Sequence, residues 1–321
     1  MASLPLELSQ ESYTDLSGRI RHDRNGDPDH CGGYSDVYIG YLTDEETGNE
    51  TKVDRRLARA FQITDKNLKV AIKVLRITND SKNVEKVKKY VIRETVTWSE
   101  IDHENVLEFF GIADDLGRYG CPALVSPYCN KGTVSNYLTP NSSRQVRLDI
   151  IMGVCKGLKY LHEKKVIHGD LKPSNVLVHD DGRALLCDFG RSKILNTGGF
   201  TTRPSGVVRY QAPEIQNGGG LSKATDVYAL GITSFEIWTG ETPWKDLKDG
   251  QIIIAILVRN ERPVRPVSAP SGTELVWNVL EHCWTLEPEK RLSMTEVVQK
   301  VQDVDAVLFL SSPRPRDDLA N

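Results

Sequence analysis

The stretch HGDLKPSNVLVHDDGRALLCDFG, residues 168–190, is the most informative about the fold, because it predicts a polar loop followed by a β-hairpin. Two apolar runs flank Asp181-Gly182, and Asp-Gly is a favoured dipeptide for a tight two-residue turn. A turn centred on these two residues sets Asn175 opposite Asp188. The open end of the hairpin is therefore expected to bring an amide and a carboxylate together.

The polar side chains at this end are of the kinds that bind metal ions and phosphate. Asp170 and Lys172 lie in the loop that enters the hairpin, close in sequence to Asn175. Carboxylate and amide oxygens suit Mg²⁺, which often shares its ligand sphere with phosphate groups. Singly, each of these residues would be an ordinary surface residue around a hairpin. Together, at this spacing, they indicate phosphate chemistry assisted by a metal ion.

On the N-terminal side of this stretch the pattern is that of strands with one helix. Strands are predicted over 33–42, 68–77 and 121–129, the last ending at Pro127, and a helix over 81–100. Glu94 lies on the apolar face of this helix, and Lys73 interrupts the second strand. Because a buried charge is costly unless it is paired, we expect Lys73 and Glu94 to form an ion pair.

On the C-terminal side the pattern is mostly helical. Helices are predicted over 146–162 and 226–240, and the second is apolar nearly all round, as expected of a buried helix that Gly240 could cap. Strands with one helix, followed by helices, predict an α+β protein with two lobes. The first would be a small antiparallel β-sheet lobe with one helix and the second a larger, mainly helical lobe, with the hinge near 127–132.

Composition narrows the class of protein. The chain has 321 residues, is 39% hydrophobic and carries a net charge of −3, which argues against a general nucleic-acid or membrane-surface binder. The longest apolar run, 252–258, is too short to span a bilayer, and the N-terminus does not resemble a signal peptide. The six cysteines show no paired spacing, so we expect thiols and a cytoplasmic location.

Taken together, these motifs resemble the catalytic domain of eukaryotic protein kinases, from about Leu16 to about Val304. The motifs are VAIK (70–73), HGDLKPSN (168–175), DFG (188–190) and APE (212–214). The resemblance implies ATP and Mg²⁺ as cofactors, a protein substrate, and no nucleic acid or membrane as partner. Lys172 followed by Pro173-Ser174 resembles Ser/Thr-directed enzymes, and HCW (282–284) resembles the tyrosine-kinase-like group.

The resemblance also implies a role for each site residue. Asp170 would be the base that orients the substrate hydroxyl, and Lys172 would neutralise the transferred phosphoryl group. Lys73, positioned by Glu94, would hold the α- and β-phosphates. Asn175 and Asp188 would bind Mg²⁺. The residues expected around the nucleotide are Gly32, Gly33, Val37, Ala71, Lys73, Ser126, Pro127, Cys129, Leu177 and Asp188.

Two further interactions are implied outside this set. Glu214 of the APE motif would pair with Arg291, and Asp226 would anchor the catalytic loop. Both would support the site without touching the substrate.

The resemblance places the kinase domain at 16–305, between a flexible N-terminal segment, 1–15, and a disordered tail, 306–321. Within it, the N-lobe would span 16–127 and the C-lobe 128–305. A charged insertion, 43–67, has two interpretations. It is either a solvated insertion between strands or a docking segment with RRLARAF as a short amphipathic helix. A regulatory protein partner is a further expectation.

The chain departs from the family pattern at three places. His30 and Ser35 stand where the glycine-rich loop has glycines, Val207 replaces a threonine, and Gly169 replaces an arginine. These departures leave open a pseudokinase, a scaffold that binds nucleotide or a partner with little catalysis. A small-molecule phosphotransferase of similar fold is a third alternative, against which the APE segment argues.

Overall fold

The computed structural model describes residues 13–22, 27–31, 35–43, 67–76, 84, 91–92, 94–188, 193–194, 207–267 and 273–310. The chain divides into two compact units. The first contains the described residues up to Asn130, together with Cys187 and Asp188, and the second contains the others from Lys131 onward. The boundary predicted after residue 127 therefore falls within the first unit. Gly32, Gly33, the DFG residues 189–190 and almost all of the insertion 43–67 lie outside the described residues.

The first unit is built on an antiparallel sheet. Its strands are β1 (Ile20–Arg21), β2 (His30–Cys31), β3 (Ser35–Thr43), β4 (Asn67–Leu75), β5 (Gly111–Arg118) and β6 (Cys121–Pro127). Their order is β1-β3-β4-β6-β5, with β2 paired to β3. Residues 91–92 and 94–99 are helical. The small antiparallel sheet with one helix, which the sequence predicted for the N-terminal part, is confirmed.

The core of the first unit lies where the apolar residues of neighbouring strands meet. Leu42 of β3, Ile72 of β4 and Val125 of β6 are buried in one cluster with Phe110, which precedes β5. Alternation along each strand directs these residues to the core and leaves their neighbours available for other contacts. The helical residues Val91 and Trp98 are buried as well, so the apolar face predicted for this helix is present.

The second unit is mainly helical, as the sequence predicted. Its helices are α1 (Val134–Tyr137), α2 (Arg144–Glu163), α3 (Pro213–Gln216), α4 (Lys223–Thr239), α5 (Asp249–Leu257), α6 (Thr273–Cys283) and α7 (Met294–Leu310). Four short strands accompany them: β7 (Val166–Ile167), β8 (Val176–Val178), β9 (Ala184–Leu186) and β10 (Lys193–Ile194). The α+β class expected from the sequence is therefore confirmed.

Helix α4 is buried nearly all round, as its apolar sequence indicates. Ser222 caps its first turn by accepting a hydrogen bond from the Thr225 N–H. Gly240 ends it in the left-handed region, at φ 73°, where its N–H donates to the Glu236 carbonyl. The predicted glycine cap is confirmed. This central helix carries Asp226, which reaches the loop described below.

The hairpin register differs from the prediction by one residue. Strands β8 and β9 pair Val176 with Leu186 and Val178 with Ala184, so the loop has three residues, 180–182, and not two. The Gly182 N–H donates to the His179 carbonyl at 2.9 Å, and Gly182 adopts φ 99°. A turn followed by a left-handed glycine is the usual three-residue hairpin. The expected alignment of Asn175 with Asp188 was therefore wrong.

The last helix corrects the expected C-terminal boundary. Helix α7 continues to Leu310, so residues 306–310 are helical and do not belong to a disordered tail. The rest of the predicted tail, 311–321, lies outside the described residues, as does most of the N-terminal segment 1–15. Within the part of the chain that the structure describes, no helix is both long and apolar enough to cross a membrane.

Candidate active site

The first unit holds a lysine between two carboxylates. The Lys73 ammonium lies 2.7 Å from Glu94 Oε1 and 3.2 Å from Asp188 Oδ1. Lys73 comes from the middle of β4, Glu94 from the helix, and Asp188 from the residues that follow β9. The ion pair between Lys73 and Glu94 that the sequence predicted is therefore present, with Asp188 as a second carboxylate.

Burial makes this ion pair energetically sensitive. The Glu94 side chain has no solvent exposure, and its Oε2 has no hydrogen-bond partner among the described residues. Burial raises the pKa of Glu94, and the positive charge of Lys73 opposes that rise. Lys73 is therefore the group that favours the ionised form of Glu94.

Strand pairing brings the predicted adenine-side residues of the first unit together. In the ladder, Val37 is opposite Lys73, and Ala71 is opposite Ser126. Pro127 pairs with Val70 at the end of β6, and Cys129 follows as a buried residue. Among the described residues of this unit, Val37, Ala71 and Ser126 thus lie on paired strands within two residue pairs of Lys73.

The second unit holds a cluster of polar residues around Asp170. The Lys172 ammonium lies 2.8 Å from Asp170 Oδ2. The Asn175 amide nitrogen donates to the Asp170 carbonyl at 2.8 Å and to Asp170 Oδ2 at 3.1 Å. Pro173 starts a short 3₁₀ turn that places Asn175 directly before β8. The structure therefore brings the three predicted catalytic-loop residues together.

A buried carboxylate anchors the backbone ahead of Asp170. Asp226, 1% exposed, accepts hydrogen bonds from the N–H groups of His168 at 2.8 Å and Gly169 at 2.9 Å. His162 Nε2 lies 2.9 Å from the same carboxylate. Charge-assisted hydrogen bonds of this kind are stronger than neutral ones. The anchoring interaction implied for Asp226 is present.

The second supporting pair is also present. The guanidinium of Arg291 binds the Glu214 carboxylate with both terminal nitrogens, at 2.6 and 2.8 Å. The same guanidinium donates to the carbonyls of Ala224, Thr285 and Leu286. A buried arginine is stable when its donors are satisfied in this way. This pair ties α3 to the segment between α6 and α7.

Leu177 lies outside these two clusters, and the two predicted Mg²⁺ ligands are divided between them. Leu177 belongs to β8, where it pairs with Leu185 in the second unit. Asn175 belongs to the second unit and Asp188 to the first. Among the described residues, no group of three or more His, Cys, Asp or Glu side chains could hold a metal ion on its own.

Sequence reasoning missed a buried charge in β3. Asp36 is 6% exposed and pairs with Arg76, which directly follows β4. The signal that identified Glu94, a carboxylate within an apolar pattern, was available here as well. It was weaker, because Asp36 follows the sequence Gly-Gly-Tyr-Ser (32–35), a composition in which polar residues are ordinary.

Comparisons with known proteins agree with the motifs. A family model described as the protein kinase domain matches residues 56–301. The receptor-interacting serine/threonine-protein kinase 3 of Rattus norvegicus is 32% identical over 74% of this chain and 51% of its own length. The serine/threonine/tyrosine-protein kinase HT1 of Arabidopsis thaliana is 26% identical over 77% of this chain and 63% of its own length. For the mitogen-activated protein kinase kinase kinase 12 of Rattus norvegicus the identity is 28%, over 67% of this chain and 24% of the relative. The chain thus spans only part of the relatives that it matches.

Proposed function

This chain belongs to the protein kinase domain family, and from that premise we propose that it transfers the γ-phosphate of ATP to Ser or Thr hydroxyls of protein substrates. The observation that carries the proposal is the position of Lys73, 2.7 Å from a fully buried carboxylate and 3.2 Å from Asp188. A half-buried lysine held at a strand position in this way is suited to fixing phosphate groups. Phosphate transfer depends mainly on such positioning and on charge neutralisation.

In the first unit, the residues beside Lys73 would bind the nucleotide. Val37 and Ala71 would contact the adenine, and the backbone at Pro127 and Cys129 would hydrogen-bond its edge. The absence of an N–H at Pro127 has no cost if that residue offers its carbonyl. Gly32 and Gly33 would approach the phosphates, since glycine permits close backbone contact.

In the second unit, Asp170 would orient the substrate hydroxyl and receive its proton. Lys172, 2.8 Å from that carboxylate, would neutralise charge on the transferred phosphoryl group. The anchoring of His168 and Gly169 by Asp226 would keep Asp170 in place during the reaction. Lys172 also favours Ser/Thr over Tyr substrates, and the sequence HCW (282–284) favours a place in the tyrosine-kinase-like group.

Asn175 and Asp188 each carry an oxygen of the kind that Mg²⁺ binds. The Asn175 nitrogen is used for hydrogen bonds to Asp170, so a cation would bind through the amide oxygen, and Asp188 offers a carboxylate. Two oxygen ligands from protein with the rest from phosphate and water is a usual arrangement for this ion. When bound, Mg²⁺ would neutralise charge on the phosphates.

Control of this activity is proposed to lie outside the activation segment. Gly169 carries no cation that a phosphate on the segment 191–211 would need to satisfy, so a regulatory protein partner or the insertion 43–67 would be the controlling element. A reducing compartment such as the cytoplasm suits the six cysteines, all of which are thiols.

The test is phosphate transfer with Mg-ATP to the chain itself and to a generic protein substrate, read by mass spectrometry. We expect phosphoserine or phosphothreonine with the wild-type protein, and a loss of about 100-fold or more for Asp170→Asn and for Asp188→Asn. Asp181→Asn, which removes an exposed carboxylate of the hairpin loop, is the matched control and should keep full activity. Equal signals from the wild type and the two active-site variants would support the scaffold alternative.

A further inference from the structure

The start of β3 carries a charge pair that the proposed reaction does not use. Asp36 Oδ1 accepts hydrogen bonds from Arg76 Nε at 2.9 Å and from Arg76 Nη2 at 2.7 Å. Arg118 Nη1 lies 3.9 Å from the other carboxylate oxygen. The hydrogen bond from Arg76 holds the pKa of Asp36 below its usual value. Asp36 is therefore ionised and paired while it is almost completely buried.

The register places this pair next to the phosphate-binding lysine. In the β3–β4 ladder Asp36 is opposite Val74, and the next pair along is Val37 with Lys73. Arg76 is the first residue after β4 ends at Leu75. The side-chain pair therefore lies at the last residue pairs of this ladder, on the Lys73 side of the pair Ala71–Ser126. Because adjacent residues of a strand face opposite sides of the sheet, the Asp36 side chain lies on the opposite face from Lys73, and the two are linked through the strand backbone.

Strand β2 is held against β3 and against Tyr128, which follows β6. Cys31 is the register partner of Asp36. Asp29 accepts a hydrogen bond from the Ile39 N–H at 2.7 Å. His30 stacks against Tyr128, with ring centroids 6.4 Å apart, an angle of 16° between the rings, and 3.4 Å between Nε2 and the hydroxyl.

We propose that Asp36 and Arg76 are positioning residues for the phosphates of the nucleotide. They hold the facing ends of β3 and β4 in place before the nucleotide binds, at a site where two of the expected glycines are absent. A site that is ordered beforehand does not lose binding free energy to the ordering of its own parts. This inference rests on the proposed function, because it presumes a nucleotide at Lys73.

The location of the pair predicts which part of the nucleotide is affected. Asp36 and Arg76 flank the Lys73 end of the strands, where the phosphates would lie. The adenine-side residues are held by the separate β4–β6 pairing. Loss of the pair should therefore weaken binding of ADP and ATP and leave the binding of adenosine nearly unchanged.

The experiment compares the dissociation constants of Mg-ADP and adenosine for the wild type, Asp36→Asn, Arg76→Gln and the double variant. We expect ADP affinity to fall about fivefold or more in the single variants, and adenosine affinity to change by less than about twofold. The double variant should be no weaker than the weaker single variant, because both substitutions remove the same contact. Arg76→Lys, which keeps the charge, should restore most of the ADP affinity. Arg183→Gln, which breaks the exposed pair with Asp181, is the matched control.

Each outcome of this experiment either supports or overturns the inference. Equal losses of adenosine and ADP affinity, or melting temperatures that fall in step with ADP affinity in every variant including Arg76→Lys, would show that the pair only supports the fold and would overturn the inference. Unchanged ADP affinity would overturn it as well. Failure of the proposed function would look different, because the wild-type chain itself would then bind neither ligand, and that result would remove the inference along with its premise.

Discussion

Replacing Lys73 with methionine should make the stability of the protein fall as the pH rises, in addition to abolishing phosphate transfer. Methionine can occupy the same strand position, but it carries no charge. Glu94 would then have no cation at 2.7 Å, and its other oxygen already has no partner among the described residues. A carboxylate that is buried without a partner must either remain ionised at high cost or take up a proton.

Protonation sets an upper limit on this cost. From the ordinary glutamate pKa of 4.5, keeping a proton on Glu94 at pH 7 costs about 3.4 kcal/mol, at about 1.4 kcal/mol for each pH unit. At pH 5.5 the same cost is about 1.4 kcal/mol. The penalty of the substitution should therefore shrink by about 2 kcal/mol between pH 7 and pH 5.5.

The sign follows from the direction of the pKa shift. In the methionine variant burial raises the folded-state pKa of Glu94 above its unfolded value, with no ammonium to oppose the rise. The folded state then holds a proton that the unfolded state releases. The stabilising contribution is complete below the unfolded pKa and is lost as the pH rises through the raised folded pKa.

Urea unfolding followed by circular dichroism at pH 5.5 and pH 7 measures this effect. The variant Lys73→Met/Glu94→Leu is the control, because replacing both partners by apolar residues removes the buried charge and should remove the added pH dependence. If Lys73→Met shows the same pH dependence as the wild type, Glu94 is not held ionised by Lys73 and the reasoning is refuted.

Two further predictions concern the sides of the site. Ser126 is a small residue buried opposite Ala71, so ATP-site inhibitors with a bulky aromatic arm should bind. Ser126→Phe should prevent their binding while ATP affinity changes little. Equal inhibitor affinity in both forms would contradict this prediction. Val207 lines the same cavity as Asp170. Val207→Thr should therefore add a hydroxyl near the catalytic carboxylate and raise kcat on Ser/Thr peptides. A lower kcat would show that the loop containing residue 207 follows a different path.

The parts of the site that the sequence predicted are those whose burial conflicts with their charge. Lys73 and Glu94 each interrupted an apolar pattern, and only a partner could make either position tolerable. Strands and helices could be predicted from hydrophobic periods of two and 3.6 residues, because these periods determine which side chains reach the core. The ion pair of Lys73 and Glu94 could thus be inferred from the sequence alone.

The hairpin register shows where such reasoning fails. Asp181-Gly182 is compatible with a two-residue turn centred on it and with a three-residue loop that it ends. The choice depends on whether Gly182 closes a turn from His179, as it does through a 2.9 Å hydrogen bond. Both loops have the same apolar pattern on each side, so hydrophobicity could not separate them. The end of α7 at Leu310 was missed similarly, because the residues beyond 305 continue the helix without a cap signal.

Gly169 affects both the backbone conformation and the charge of the catalytic loop. Its φ of 77° lies in the left-handed region, where a residue with a side chain would cost roughly 1–2 kcal/mol. Its N–H meanwhile donates to the Asp226 carboxylate, which fixes the peptide directly ahead of Asp170. An arginine at this position would carry both the backbone strain and a cation in need of a partner. With glycine the same geometry is reached by two backbone hydrogen bonds to Asp226, so we expect the arrangement of Asp170 to require no phosphate from the activation segment.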